Sequence, residues 1–384
     1  MKTLKTTIML LAILSVLSCK AEVKKDIAIM KPLEVANPIE KHYIRVALLL
    51  DTSNSMDGLI DQAKAQLWEI VNELSYAKCE SERPNLQIAL YEYGNDNLSS
   101  NDEYIRKILA FTNDLDEVSK ELFSLTTNGG SEYCGTAIQY SLENLDWGNN
   151  ADDLKMIFIA GNEPFTQGKI NYQDASLNAK EKGVVVNTIF CGDYNQGISS
   201  NWKEGAQLTY GDYMSINHNQ KTVHIDSPYD NQILQLNIKL NKTYVYYGQQ
   251  GDKKKAIQQE QDSNAADYSK ANAVSRTITK GSHLYKNSSW DLVDAEVEID
   301  DFSYKEVKKE DLPNHLKDKS TEELKAYVDV KRKERENIQT EIALLNKKRR
   351  KFISNSEKEN SNTLESAMIK AIKKQAKKKN YNWN

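Results

Sequence analysis

Tyr43-Ile44-Arg45-Val46-Ala47-Leu48-Leu49-Leu50-Asp51-Thr52-Ser53-Asn54-Ser55-Met56 decides the fold, because a continuous apolar run ends abruptly in a carboxylate followed by two hydroxyls at alternate positions. Ile44 to Leu50 does not alternate between apolar and polar, so it reads as a central strand of a parallel sheet covered on both faces. Ligands of open α/β sheets collect outside the carboxyl ends of the strands, at a topological switch point. Asp51, Ser53 and Ser55 would sit there. One carboxylate and two hydroxyls make a hard-oxygen set suited to Mg²⁺ or Mn²⁺, and a helix starting near Gly58 adds its positive dipole end. The same residues also suit a helix start, with Ser53 or Ser55 as N-cap and Asp51 as a turn residue.

Outward from this stretch, strand-like and helix-like segments alternate, the pattern of a doubly wound sheet. Ala63 to Leu74 reads as an amphipathic helix, Leu86 to Tyr93 as a second strand, and Ile105 to Phe111 as a short third strand reached by a tight loop. Helix follows from Leu115 to Leu125, then a loop from Thr126 to Gly135, and helix again to about Trp147. Strands are expected at Lys155 to Ala160, Val184 to Cys191 and Tyr213 to Ile216, with helices around Ala175 to Lys182, Trp202 to Leu208 and Asn231 to Leu240.

Asp51-x-Ser53-x-Ser55 after an apolar strand resembles the first motif of the von Willebrand factor A family, the metal-ion-dependent adhesion site (MIDAS). The resemblance implies an α/β domain over 41–247 with a doubly wound, mostly parallel, Rossmann-like sheet whose third strand is antiparallel. It implies that Ser53 and Ser55 bind a divalent cation directly, Mg²⁺ or else Mn²⁺ or Ca²⁺, that Asp51 acts largely through water, and that an acidic group of a protein partner completes the shell. A third ligand, usually Thr, is expected from the loop Asn128-Gly129-Gly130-Ser131-Glu132-Tyr133-Cys134-Gly135, where the position holds Ser131 or, by spacing to Ala137-Ile138, Glu132. A fourth, usually Asp, is expected where this chain reads Gly161-Asn162-Glu163-Pro164-Phe165. Gly161 offers no side chain at that position. Glu132 puts a carboxylate where the family has a neutral hydroxyl, so the ligand charge would move from one loop to the other; Asn162 and Glu163 would act in the second shell or cap the next helix. With these two loops the chain looks like a bacterial lipoprotein branch of the family.

The chain ends suggest where such a domain works. Lys2, Lys5 and the apolar stretch Ile8 to Leu17 read as a signal segment over 1–18, too short to span a membrane. Val16-Leu17-Ser18-Cys19 resembles the bacterial lipobox, which implies lipidation of Cys19 and a cell-envelope location. Residues 19–40, with Pro32 and Pro38, read as a tether. Residues 248–317 are expected to pack on the body, with Ala256 to Thr279 as a surface helix, and 318–384 to form a charged helical arm. The 384-residue chain carries a formal charge of −4. From residue 318 on, however, there are 18 Lys and Arg against 10 Asp and Glu, which leaves the part before it acidic. Ser320-Thr321-Glu322-Glu323 is a capping box. Leu324, Val328, Ile338, Ile342, Leu345 and Phe352 fall on a 3-4 seam interrupted by Lys331, Arg335 and Arg349, so self-association as a coiled coil through 320–352 is one expectation.

Other chemistries find little in the sequence. No nucleophile elbow, His-Glu-x-x-His, Walker loop or dinucleotide glycine pattern occurs, and the five histidines are scattered. A binding or adhesion module is therefore expected rather than an enzyme, with a metal-free scaffold oligomerised by the C-terminal helices as the alternative and a metal-assisted hydrolase the weakest reading. Beyond Phe352, aromatics in the Lys-rich tail sit only at Tyr381 and Trp383, unlike the interleaved stacking surface of a nucleic-acid binder. Cys79, Cys134 and Cys191 remain after lipidation. If a disulfide forms, topology favours Cys134 with Cys191 at the ligand edge of the sheet.

Overall fold

The computed structural model describes residues 42–79, 82–219, 225–354 and 364–383. The signal segment, the tether and Cys19 lie outside them. The described residues belong to one compact unit, Lys41–Asn384.

The leading apolar run is strand β1 (Tyr43–Asp51), followed by a single 3₁₀ turn and helix α1 (Asp57–Leu74). Then come β2 (Lys78–Cys79), β3 (Asn85–Tyr93), β4 (Ile105–Thr112), α2 (Leu115–Ser124), α3 (Cys134–Asn144), β5 (Leu154–Gly161), α4 (Tyr172–Glu181) and β6 (Val185–Cys191). The body continues through α5 (Tyr194–Ser199), α6 (Trp202–Gln207), β7 (Tyr213–Ile216) and α7 (Asp230–Asn241). The C-terminal part adds α8 (Gly251–Tyr268), α9 (Lys270–Lys280), α10 (Leu292–Glu298), α11 (Thr321–Ser354), α12 (Leu364–Ala376) and β8 (Tyr381–Asn382).

Six strands form the sheet in the order β4-β3-β1-β5-β6-β7. Only β4 runs antiparallel. Because β1 pairs with β3 on one side and β5 on the other, the chain winds outward in both directions from β1, and Asp51 stands at the switch point. Strand periodicity then divides the apolar run between two cores. Val46, Leu48 and Leu50 pack with α1, α2, α7 and α12, while Ala47 and Leu49 pack with α3, α4 and α6.

The C-terminal segments are part of this packing. Leu364, Met368 and Ile372 of α12 join Leu48, Leu50 and Phe158 on the first face of the sheet, and side-chain oxygens of Gln62 and Gln66 in α1 accept the first amides of α12 at 3.0 and 2.7 Å. Most of the α11 seam is spent inside the chain: Leu324, Val328, Ile342 and Leu345 are buried and Ile338 is half-buried, with Phe352 exposed at its end. Two of the charges that interrupt it are buried ion partners. Arg335 meets Asp291 at 2.6 Å and Asp294 at 2.7 Å, and Arg349 meets Asp230 at 3.1 Å. This corrects the coiled-coil expectation, since apolar side chains already covered cannot also line an interface with a second copy. The tail tip is clipped down as well, with β8 pairing antiparallel to β2 and Trp383 Nε1 donating to the Glu73 carbonyl at 3.0 Å.

The expected surface helix over 256–279 is also corrected. It is two helices broken at Ser269, and α9 is buried almost all round. Arg276 is held by Asp116 at 2.7 Å and Asp262 at 2.6 Å, and Lys280 by Asp262 at 2.9 Å. Buried charges need such partners, and no local periodicity announces Asp116, 160 residues from Arg276, or Asp262 in the preceding helix. Cys134 and Cys191, the pairing favoured if a disulfide forms, are both free and buried, as is Cys79. No helix among the described residues is long and apolar enough to cross a membrane.

Candidate functional site

The site is built where β1, β3 and β5 end side by side. Asp51 is the last residue of β1 and fully buried. The chain turns at once, so that the Ser53 amide donates to Asp51 Oδ1 at 2.8 Å. Ser53 precedes the 3₁₀ turn, yet its side chain makes no capping bond; its hydroxyl instead lies 3.4 Å from that of Ser55. Thus the helix-cap reading of Ser53 is not realised. Asn162 braces Ser55 from the β5 exit, its Nδ2 donating to Ser55 Oγ at 3.1 Å.

The glycine-rich loop is tied into the same edge by backbone bonds. Asn54 N donates to Gly129 O at 3.0 Å, Asn128 N donates to Thr52 O at 3.0 Å, and Ser131 forms a bridge with Gly94 beyond β3. The loop therefore delivers Glu132, 3% exposed, to Asp51. Gly94, at φ 81°, leaves the room: a Cβ there would stand 2.7 Å from Glu132 Cγ and 2.8 Å from Asp51 Oδ1. Ser131 takes part through its backbone, and the Glu163 carboxylate turns to Gln167, accepting its Nε2 at 3.2 Å.

Two carboxylates now face one another in a dry corner. Asp51 Oδ2 and Glu132 Oε2 are both buried with no hydrogen-bond partner. Burial, and then the charge of Glu132, holds the Asp51 carboxyl well above the usual carboxylate range. Burial raises Glu132 too, opposed by hydrogen bonds with Asp51 and Ser53. Buried polar oxygens are nearly always satisfied, and adjacent carboxylates resist sharing two negative charges. A divalent cation would relieve both conditions, and the donor set of two carboxylates and two hydroxyls is all hard oxygen. The residues fit such an ion. Among the described residues no cluster of three or more His, Cys, Asp or Glu side chains is arranged to hold a metal, so this site depends on its serines.

Sequence reasoning missed Tyr93. Its hydroxyl donates to Ala160 O at 3.0 Å and lies 3.8 Å from Cys134 Sγ. A Cβ on Gly161 would come within 2.5 Å of that hydroxyl and 2.9 Å of Asp51 Oδ2. The space an aspartate would need at position 161 is filled by Tyr93. The only sequence signal was an aromatic residue at the end of β3, facing the loop in question.

Residues 46–203 match the model of the von Willebrand factor type A domain. No curated protein matches the chain. Among solved structures, the conserved hypothetical protein BatB from Bacteroides thetaiotaomicron is 17% identical over 45% of this chain and 90% of its own, at a TM-score of 0.35. An aerotolerance-related membrane protein from Bacteroides fragilis is 16% identical over 46% of this chain and 93% of its own, at 0.32. The SpRpn10 VWA domain is 14% identical over 47% and 99%, at 0.34.

Proposed function

Since residues 46–203 form a von Willebrand factor type A domain, we propose that the protein is an envelope-anchored binding module that engages a protein partner through a divalent cation at a modified MIDAS. Domains of this type commonly mediate protein–protein interaction. Ser53, Ser55, Asp51 and Glu132 would hold the ion, Mg²⁺ or else Mn²⁺ or Ca²⁺, with Asn162 bracing Ser55. Bound there, the ion would offer an open coordination position to an oxygen of the partner. Ser131 and Glu163 serve the site indirectly, one by fixing the loop and the other by its charge beside Glu132. Binding rather than catalysis is the role, because the two serines serve as ligands and burial keeps the Cys134 thiol protonated. Cys19 would carry the lipid that keeps the domain at the membrane.

The observation that supports this reading best is the pair of buried, unpartnered oxygens on Asp51 and Glu132. Its test is a thermal-shift titration with Mg²⁺, Mn²⁺ and Ca²⁺, because a ligand that binds only the folded state raises its stability. The wild type should respond to at least one cation, and Ser53→Ala/Ser55→Ala should not respond while remaining folded. An unchanged response in the double variant would remove the serines from the site.

A further inference from the structure

We infer that the partner surface received at this edge is basic, a Lys- and Arg-rich protein segment, rather than the acidic group that the family resemblance suggests. The inference rests on the cation reading of the site and concerns what surrounds it. The edge is made by residues 52–57, 94–104, 126–133, 162–171, 192–193 and 217–219, the loops that leave the carboxyl ends of the strands or enter the adjoining helices. Besides Glu132 these loops carry Asp57, Asp96, Asp102, Glu103, Glu163 and Asp193. Their bases among the described residues are Lys169 and His218; Lys221 and His224, further along the loop that leaves β7, lie outside them.

Lys169 is taken by Glu103, at 3.2 Å. Burial holds His218 below the usual imidazole range, so it adds no charge at neutral pH. Asp57, Asp96, Asp102 and Asp193 are exposed and form no ion pair among the described residues. They lie close to the site: Asp57 accepts from Thr127, at the root of the glycine-rich loop, and the Asp96 carboxylate lies against Gly129, whose carbonyl accepts the Asn54 amide. One oxygen of each buried carboxylate, Asp51 Oδ2 and Glu132 Oε2, stands at the same edge without a hydrogen-bond partner.

A divalent ion bound by Asp51 and Glu132 has its two charges cancelled by its own ligands. What an approaching partner meets is then the field of the uncompensated rim. Complementary potentials across an interface set encounter rate and partner choice, and like charges in apposition select against a partner. A carboxylate brought to the open position would add a further negative charge to this edge. Lys and Arg side chains would neutralise the rim while a neutral oxygen of the same segment, a carbonyl or hydroxyl, takes the open position.

The test uses the purified full chain with Mg²⁺ and two fluorescent peptides of equal length, one of Lys and Gly and one of Glu and Gly, read by anisotropy at low and moderate salt. The Lys peptide should bind about tenfold or more tighter than the Glu peptide and weaken as salt rises. Asp57→Asn/Asp96→Asn/Asp102→Asn should erase most of that preference. Glu82→Gln/Asp146→Asn/Asp152→Asn, which removes the same charge at the opposite edge of the sheet, should preserve it. Equal or tighter binding of the Glu peptide, or equal losses in the two triple variants, would overturn the inference. A Lys-peptide preference that depends on the rim, in a protein whose melting temperature ignores every cation, would uphold the basic partner and defeat the metal reading.

Discussion

Gly161→Ala is a single-methyl test of why the acid of this site sits at position 132. The added Cβ would lie 2.5 Å from the Tyr93 hydroxyl, 2.9 Å from Asp51 Oδ2 and 3.2 Å from Asp51 Cβ. None of these atoms has an easy retreat. Tyr93 is buried and donates to Ala160 O at 3.0 Å, and Asp51 is clamped by the Ser53 amide at 2.8 Å. Overpacking of this kind costs about 1–3 kcal/mol. Tyr93→Phe alone removes one hydrogen bond, at about 0.5–1.5 kcal/mol, and it also deletes the nearest clashing atom. In the Tyr93→Phe background, therefore, Gly161→Ala should cost at least about 1 kcal/mol less than in the wild type, a coupling expected only of residues in contact. Urea denaturation followed by far-ultraviolet circular dichroism measures all four corners of the cycle. Additive costs, or a neutral Gly161→Ala, would refute the idea that Tyr93 excludes a side chain at 161.

Three more expectations concern the rest of the molecule. Arg335→Leu should destabilise the chain by about 3–5 kcal/mol, because Asp291 and Asp294 are left buried without their cation; a loss below about 1 kcal/mol in urea would show that α11 is not held by this cluster. His283 should weaken the fold in mild acid. Burial, then the charge of Arg83, lowers it to about 4 from the ordinary 6.5, so between those values the unfolded chain holds the extra proton. The stability it contributes is complete above about pH 6.5 and is lost as pH falls toward 4, by up to about 3 kcal/mol before solvent screening reduces it. His283→Gln should flatten that part of the stability–pH curve, and an identical slope in the variant would contradict the assignment. Cys19→Ala should release the protein from membranes or trap its precursor, and wild-type protein found wholly soluble would count against the lipid anchor.

The central strand and its ligand edge were legible because their signals are local. A non-alternating apolar run from Ile44 to Leu50 and the Asp51-x-Ser53-x-Ser55 string lie within a few residues of each other, and strand geometry alone sends the string to the switch point. The strand β4 was legible from its own apolar pattern, and its antiparallel direction came from the family resemblance. What escaped notice depends on distant residues. Arg335 and Arg349 looked like faults in an apolar seam, and only Asp291, Asp294 and Asp230 make them core residues. The polar composition of Arg276 to Lys280 likewise concealed a buried helix, because Asp116 and Asp262 supply its compensation. Glycine at 161 registered as a missing ligand; the hydroxyl that fills its space belongs to Tyr93, on a strand two positions away across the sheet.

The central claim is that Asp51 and Glu132 together hold a divalent cation, and titration calorimetry of Mg²⁺ and Mn²⁺ into the wild type, Glu132→Gln and Glu163→Gln tests it most directly. Saturable binding is predicted for the wild type and Glu163→Gln, with a stability gain of about 2.7 kcal/mol at a hundredfold excess of cation over Kd. Glu132→Gln should lose that binding while staying folded. Binding of equal strength in Glu132→Gln, or none in the wild type at millimolar cation, would contradict the claim.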